Sequence, residues 1–276
     1  MKKILLTLLT ASMLITGCTS VTKSGVVGAD RKQFMLVSSE AMEQSSAQAY
    51  VKTLTAARSK GELNVDPILT KRVQDIAKRL IAQTGVFRDD ALKWKWQVNV
   101  INEDTLNAWC MPGGKIVVYT GILPITQSET GLAVVMGHEV AHALADHGAQ
   151  RMSAATLQQI GAIAGSVALQ TSKYAAYTNQ FMLAYGLGSN LGVMLPFSRS
   201  NETEADAIGI QIMAIAGYDP AEAPELWKRM SAKNNGKSTP TILSTHPSDA
   251  SRIKNLTALV PKARAEAAKF GVTHFQ

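Results

Sequence analysis

Cysteine is nearly absent: Cys18 and Cys110 are the two in 276 residues. Because Cys18 falls at the end of an export leader, no intrachain disulfide is expected to staple the fold. Dense Lys/Arg tracts interleaved with aromatics are also lacking. The formal charge of +7 is spread along the chain, and without Lys2 and Lys3 it is about +5, which argues against nucleic acid as a partner. Nor does any uninterrupted apolar run approach the ~20 residues that cross a bilayer. Histidine is scarce as well, yet three of the five fall between positions 138 and 147.

The N-terminus bears on compartment. Lys2 and Lys3 precede an apolar stretch from Ile4 to Ile15, which has the form of a signal peptide covering residues 1–17. Its end, Leu14-Ile15-Thr16-Gly17-Cys18, resembles the bacterial lipobox, in which the cysteine becomes a lipidated N-terminus. Thioether-linked diacylglycerol plus an amide-linked acyl chain such as palmitate gives enough buried methylene for stable anchoring. Ser20 at the second position after Cys18 resembles outer-membrane rather than inner-membrane lipoproteins. Residues 18–33 are expected to form the lipidated terminus and a tether.

Helical periodicity is weak from Glu40 to Ala57, so this helix is expected on the outside of the domain. It is strong after Asp66-Pro67, where Ile68, Val73, Ile76, Leu80 and Ile81 repeat at helical spacing. Trp94 to Ile101 alternates as a strand, with Trp94, Trp96, Val98 and Val100 on one face. Ala108 to Met111 and Lys115 to Tyr119 flank Pro112-Gly113-Gly114, suggesting a small sheet whose edge lies near the histidines. Such an edge could accept an extended peptide as an added strand. Between Met152 and Phe197 charge is low, and none occurs from Tyr174 to Ser198; Gln, Asn and Pro residues interrupt the stretch. It is expected to be either a packed helical pair or a segment that touches lipid or covers a cleft.

The densest chemical signal is HEVAHALADH, residues 138–147, within a segment expected to be one helix. Residues four apart lie about 40° round the axis, so His138 and His142 can present both imidazoles to one ion. Glu139, about 100° from His138, is placed to hold a water against it. This is the logic of an HExxH zinc site. His147, about two and a half turns beyond His138, is expected to face the other side, in a structural or surface role. In SRSNETEADAIG, Glu202 and Asp206 share a helical face. Glu202 could complete a His2Glu ligand set, with Asp206 fixing a ligand imidazole's tautomer. Glu204, about 200° round from Glu202, is expected not to be a ligand, so that its removal would leave zinc bound.

The combination of HEVAH, SRSNETEADAIG and the later THPSDASR resembles the M48 family of zinc metallopeptidases, and its periplasmic lipoprotein members in Gram-negative bacteria most closely. NAWCMPGGKIVVYTG is similar to the family's edge-strand segment. The resemblance implies an α+β fold, a mostly helical zincin-like domain (residues 34–260) with a small sheet beside the HExxH helix, followed by a solvated tail (261–276). It implies one Zn2+ held by His138, His142 and Glu202, with Glu139 as general base and Asp206 supporting. It implies that His246 approaches the metal, as an extra ligand in a resting form or as a donor to the oxyanion, the latter favoured on sequence alone. Arg252 would steady that segment. Ala108, Met111, Pro112, Gly113 and Gly114 would border the substrate. No tetratricopeptide-like array follows. The implied activity is endopeptidase action on unfolded or misassembled envelope proteins, in quality control of outer-membrane proteins, with other envelope proteins as partners. The alternative is an envelope lipoprotein with a binding or chaperone role and suppressed peptidase activity.

Overall fold

The computed structural model describes residues 21–23, 33, 35–156, 198–233, 242, 246 and 250–276. The expected leader, Cys18, most of the expected tether and the stretch 157–197 lie outside the described residues. The described part is α+β and mostly helical, with one three-stranded sheet.

Two helices lead in. Helix α1 (Ser39–Ser59) is capped by the Ser38 hydroxyl, and α2 (Pro67–Ile81) by Asp66, whose carboxylate accepts from the backbone of Ile68 and Leu69 while Pro67 takes a position that needs no donor. The sheet follows: β1 (Gln97–Ile101), β2 (Ala108–Met111) and β3 (Lys115–Tyr119), in the order β1-β3-β2. β1 runs parallel to β3 and β2 antiparallel to it, so β2 is an edge. β1 is shorter than the alternation suggested. A short helical turn at Ala91–Lys93 precedes it, and the Trp96 indole donates to the Ala91 carbonyl at 2.8 Å.

The Pro-Gly-Gly turn between β2 and β3 depends on glycine. Gly113 and Gly114 both have φ of +76°, and a Cβ on Gly114 would meet the Trp96 ring at 2.6 Å. Side chains alternate across the sheet as the two-residue period requires. Val100, Ile116, Val118, Ala108 and Cys110 face the main core, while Ile101 and Val117 pack with Tyr50 and Ala57 of α1. Burial pushes the Cys110 thiol pKa well up, which keeps it protonated.

Across the main core lies α4 (Glu129–Leu144), which follows the single turn α3 (Leu123–Thr126). ETGLAVVMGHEVAHAL has no polar face after its first turn, and every residue from Gly131 to Leu144 is buried. α4 ends earlier than a single long helix would. Ala145 and Asp146 turn the chain, Asp146 at φ +51°, and α5 begins at residue 147 and is described to 156. Asp146 is held there by Arg88 Nη1 at 2.8 Å and by the Ser39 hydroxyl. Then come α6 (Arg199–Ile215), α7 (Glu222–Lys233) and α8 (Ala250–Lys269).

One expectation needs correction. α8 runs through Pro261, and its Ala263 and Ala267 are fully buried, so the C-terminal stretch is packed rather than merely solvated. The Gln276 backbone bonds Gly217 and Asp219, tying the last residue to the end of α6. α1 lies on the outside as expected, and its inner face walls the cleft described below. Among the described residues no helix is long and apolar enough to cross a membrane.

Candidate active site

The site forms where α4 and α6 cross, and two glycines allow the approach. A Cβ on Gly137 would meet the Gly209 carbonyl oxygen at 3.0 Å, and one on Gly209 would meet the His138 Cα at 2.9 Å. This close crossing brings the α6 carboxylates to the imidazoles of α4. The Nε2 atoms of His138 and His142 are 3.0 Å apart, and each lies 3.4 Å from a Glu202 oxygen. His246 joins them, with Nδ1 2.9 Å from Glu202 Oε1 and 3.3 Å from His138 Nε2. All four side chains are buried, and one ligand atom from each lies within 4.8 Å of the others. A tetrahedral zinc with ligands near 2.0–2.2 Å sets its donors ~3.4 Å apart. Two imidazoles, a third and a carboxylate are the donors zinc prefers, so the set fits a single Zn2+.

Supporting groups surround the donors. Asp206, one turn along α6 from Glu202, accepts from His138 Nδ1 at 3.0 Å. Arg252, in the first turn of α8, donates to both Asp206 oxygens at 2.7 Å and pairs through Nη1 with Glu202 Oε2 at 2.7 Å. Its guanidinium stacks 3.4 Å from the Trp227 ring centroid, and Trp227 in turn meets His138 edge-on. The electrostatics follow from these contacts. Burial opposes charge on Glu202, but the imidazoles of His138, His142 and His246 around it hold its carboxyl far below the usual range. Burial likewise opposes charge on Asp206, and Arg252 and His138 overcome it. Burial and Arg252 disfavour a charged His138, yet Asp206 and Glu202 raise its pKa to about 9. Burial leaves His142 neutral.

Glu139 points away from α6 toward a cleft of about 500 Å3, which it floors with His142 and His246. Burial raises its carboxyl pKa, against the opposing pull of His246, whose Nε2 is 3.4 Å away, and of His138. One wall is the β2 edge from Ala108 to Met111, with Pro112; the other is α1, with Met42, Ser46 and Ala49. Gly113 and Gly114 make the turn behind this edge and do not line the cleft.

The structure therefore brings together His138, Glu139, His142, Glu202, Asp206, His246 and Arg252. It corrects the reading of His147 and shows what Glu204 meets. His147 is fully buried beside His142, their Nδ1 atoms 3.0 Å apart, because the break at 145–146 undoes the helical phase that would have sent it to the far side. Glu204 does point away from the donor centre, but it is buried and its Oε2 lies 3.1 Å from His147 Nε2. Neither was assigned a part from spacing. The available signal was the Asp-His-Gly step after Ala145, a combination that tolerates positive φ and ends helices. Trp227 carried no sequence signal. The fifth histidine, His274, is exposed near the C-terminus.

A buried His/His/Glu/His cluster, three of its donors on two crossed helices and the fourth from His246, opening on a cleft beside a sheet edge, defines a zincin-like metallopeptidase domain, and supports zinc metalloendopeptidase activity. Residues 67–260 match peptidase family M48, and the chain belongs to that family. It is 34% identical over 239 residues to the mitochondrial metalloendopeptidase OMA1 of Schizosaccharomyces pombe, covering 86% of this chain and 66% of that protein. It is 39% identical to the Arabidopsis thaliana protein of the same name, covering 65% of this chain and 36% of the relative. With the β-barrel assembly-enhancing protease of Escherichia coli it shares 31% identity, over 76% of this chain and 42% of the relative. The chain thus spans between 36% and 66% of the length of these relatives.

Proposed function

We propose that this chain is a zinc-dependent endopeptidase of the bacterial envelope, anchored through lipidated Cys18 to the periplasmic face of the outer membrane and acting on unfolded or misassembled envelope proteins. The observation that carries the catalytic part is the donor cluster at the floor of an open, largely apolar cleft with a strand edge along it. The lipobox and the β-barrel assembly role in the name of the Escherichia coli relative support the compartment and the substrate class.

His138, His142 and Glu202 would hold the zinc. When bound, the ion lowers the pKa of a coordinated water and polarises the scissile carbonyl. Glu139 accepts the proton of the attacking water and returns it to the leaving amine; burial makes its carboxylate a stronger base. The substrate backbone pairs with β2 as an added strand, between Ala108 and Pro112, and its apolar side chains fill the space against α1. Asp206 accepts from His138 Nδ1 and so keeps the Nε2 lone pair on the ligand side. Arg252 holds Asp206 and Glu202 in register. His246, with Nδ1 among the donor atoms, would act as a resting ligand rather than as an oxyanion donor. The presence of Glu139 and of every residue proposed to hold the zinc favours a peptidase over a binding protein with suppressed peptidase activity.

The test is Glu139→Gln. The amide cannot take a proton, so cleavage of an unfolded protein substrate should fall by about 100- to 10,000-fold. Zinc content by elemental analysis should stay at one per chain. Parental turnover by the variant would refute the assignment.

A further inference from the structure

One buried pair has no part in the mechanism above. His147 and Glu204 are buried beside His142 and do not line the cleft. Their order of contacts is directional. Glu204 Oε2, a carboxylate oxygen, can only accept, so at 3.1 Å the proton between it and His147 belongs to His147 Nε2. In a neutral His147 the other nitrogen, Nδ1, is then a bare acceptor. It lies 3.0 Å from His142 Nδ1, and two ring nitrogens at that distance need one donor, so His142 carries its proton on Nδ1. The lone pair of a neutral His142 is thereby left on Nε2, the atom that faces Glu202 and His138.

We infer that Glu204 and His147 form a two-step relay that fixes the tautomer and ring orientation of His142, as Asp206 does in one step for His138. Each α4 imidazole is thus backed by a carboxylate of α6, Asp206 directly and Glu204 through His147. The indirect route exists because α4 stops at Leu144: the turn at Ala145 and Asp146 swings His147 back against His142, while Glu204 is on the far side of α6 from Glu202. His147 and Glu204 are positioning residues; neither faces the cleft, and neither is in the donor set. A metal-ligating histidine needs such a partner to raise its basicity and lock its ring, and losing the partner usually costs 10- to 100-fold in metal affinity.

The inference rests on His142 being a zinc ligand, and the experiment separates the two claims. Zinc affinity of the full chain is measured by competition with a chromophoric chelator, the visible spectrum of the cobalt-loaded protein is recorded, and melting temperature is taken on the metal-free protein. Glu204→Gln is nearly isosteric but can offer a donor to His147, permitting the reversed tautomer. It should loosen zinc about 10- to 100-fold and alter the cobalt bands, with the metal-free melting temperature little changed. His147→Asn keeps an acceptor near the Nδ1 position and should bind zinc more tightly than His147→Leu, which leaves the His142 N–H facing carbon. Parental affinity and cobalt bands in Glu204→Gln, or equal affinities in the two His147 variants, would overturn the relay. A parent chain that takes up no zinc overturns the ligand assignment and the relay with it.

Discussion

At the residue scale the site is governed by where charge can be tolerated. Glu202 and Asp206 are nearly inaccessible to water; the imidazoles around Glu202 stabilise its charge, and Arg252 with His138 that of Asp206, Arg252 making three contacts of 2.7 Å to the two carboxylates with the Trp227 face beneath it. The fork of a guanidinium meets two carboxylates at once in a way an ammonium cannot. His246 is under different constraints, since its Nδ1 is 2.9 Å from Glu202 Oε1 and its Nε2 faces Glu139. Removing that imidazole leaves three protein ligands and opens the fourth position. His246→Ala should therefore raise the initial rate on an unfolded protein substrate while zinc stays bound. A fall in rate with zinc retained would instead mark His246 as a donor to the oxyanion.

At the element scale, the decisive event is the crossing of α4 and α6. Both helices are apolar enough to be buried all round, which explains their sinking into the core but not their register. The register follows from Gly137 and Gly209, because only there can the two backbones meet closely enough for Glu202 to reach His138 and His142. Adding one methyl at Gly209 must push it against the His138 backbone. Gly209→Ala is expected to destabilise the metal-free protein by about 1–3 kcal/mol in urea unfolding, and to weaken zinc binding by widening the donor set. Unchanged values on both counts would mean that the crossing relaxes without cost.

At the scale of the whole molecule, zinc couples the site to stability. An ion that binds the folded chain and not the unfolded one adds about 4 kcal/mol at a free concentration ~1,000 times its Kd. That amounts to a rise on the order of 10 °C in melting temperature for a chain of this size. Chelation should abolish cleavage and this increment together, and stoichiometric zinc should restore both; calorimetry with and without chelator checks it. The proposed anchoring is a separate matter, assigned to residues outside those described. Cys18→Ser should release the protein from the membrane fraction in high salt, since two acyl chains are the proposed anchor. Retention would shift the weight to the uncharged residues 174–198.

Much was legible from the chain alone, for local reasons. Helical geometry makes a four-residue spacing a shared face, so HEVAH and the Glu202–Asp206 pair declared two half-sites without reference to anything distant. Asp66-Pro67 marked a helix start, and Pro112-Gly113-Gly114 a turn beside an edge strand. What tertiary structure alone decided was every relation that crosses a break in periodicity. Spacing sent His147 to the opposite side, but Arg88 and Ser39, distant in sequence, hold Asp146 in a turn that returns it to His142. Spacing also set Glu204 aside, since angle on a helix tells which way a side chain points and not what it meets there. Trp227 and the buried face of α8 came from packing between elements, which one-dimensional patterns do not encode. The ligands were thus written locally, whereas the groups that orient them depend on long-range contacts, because a tautomer is chosen by the partner a ring nitrogen finds in space.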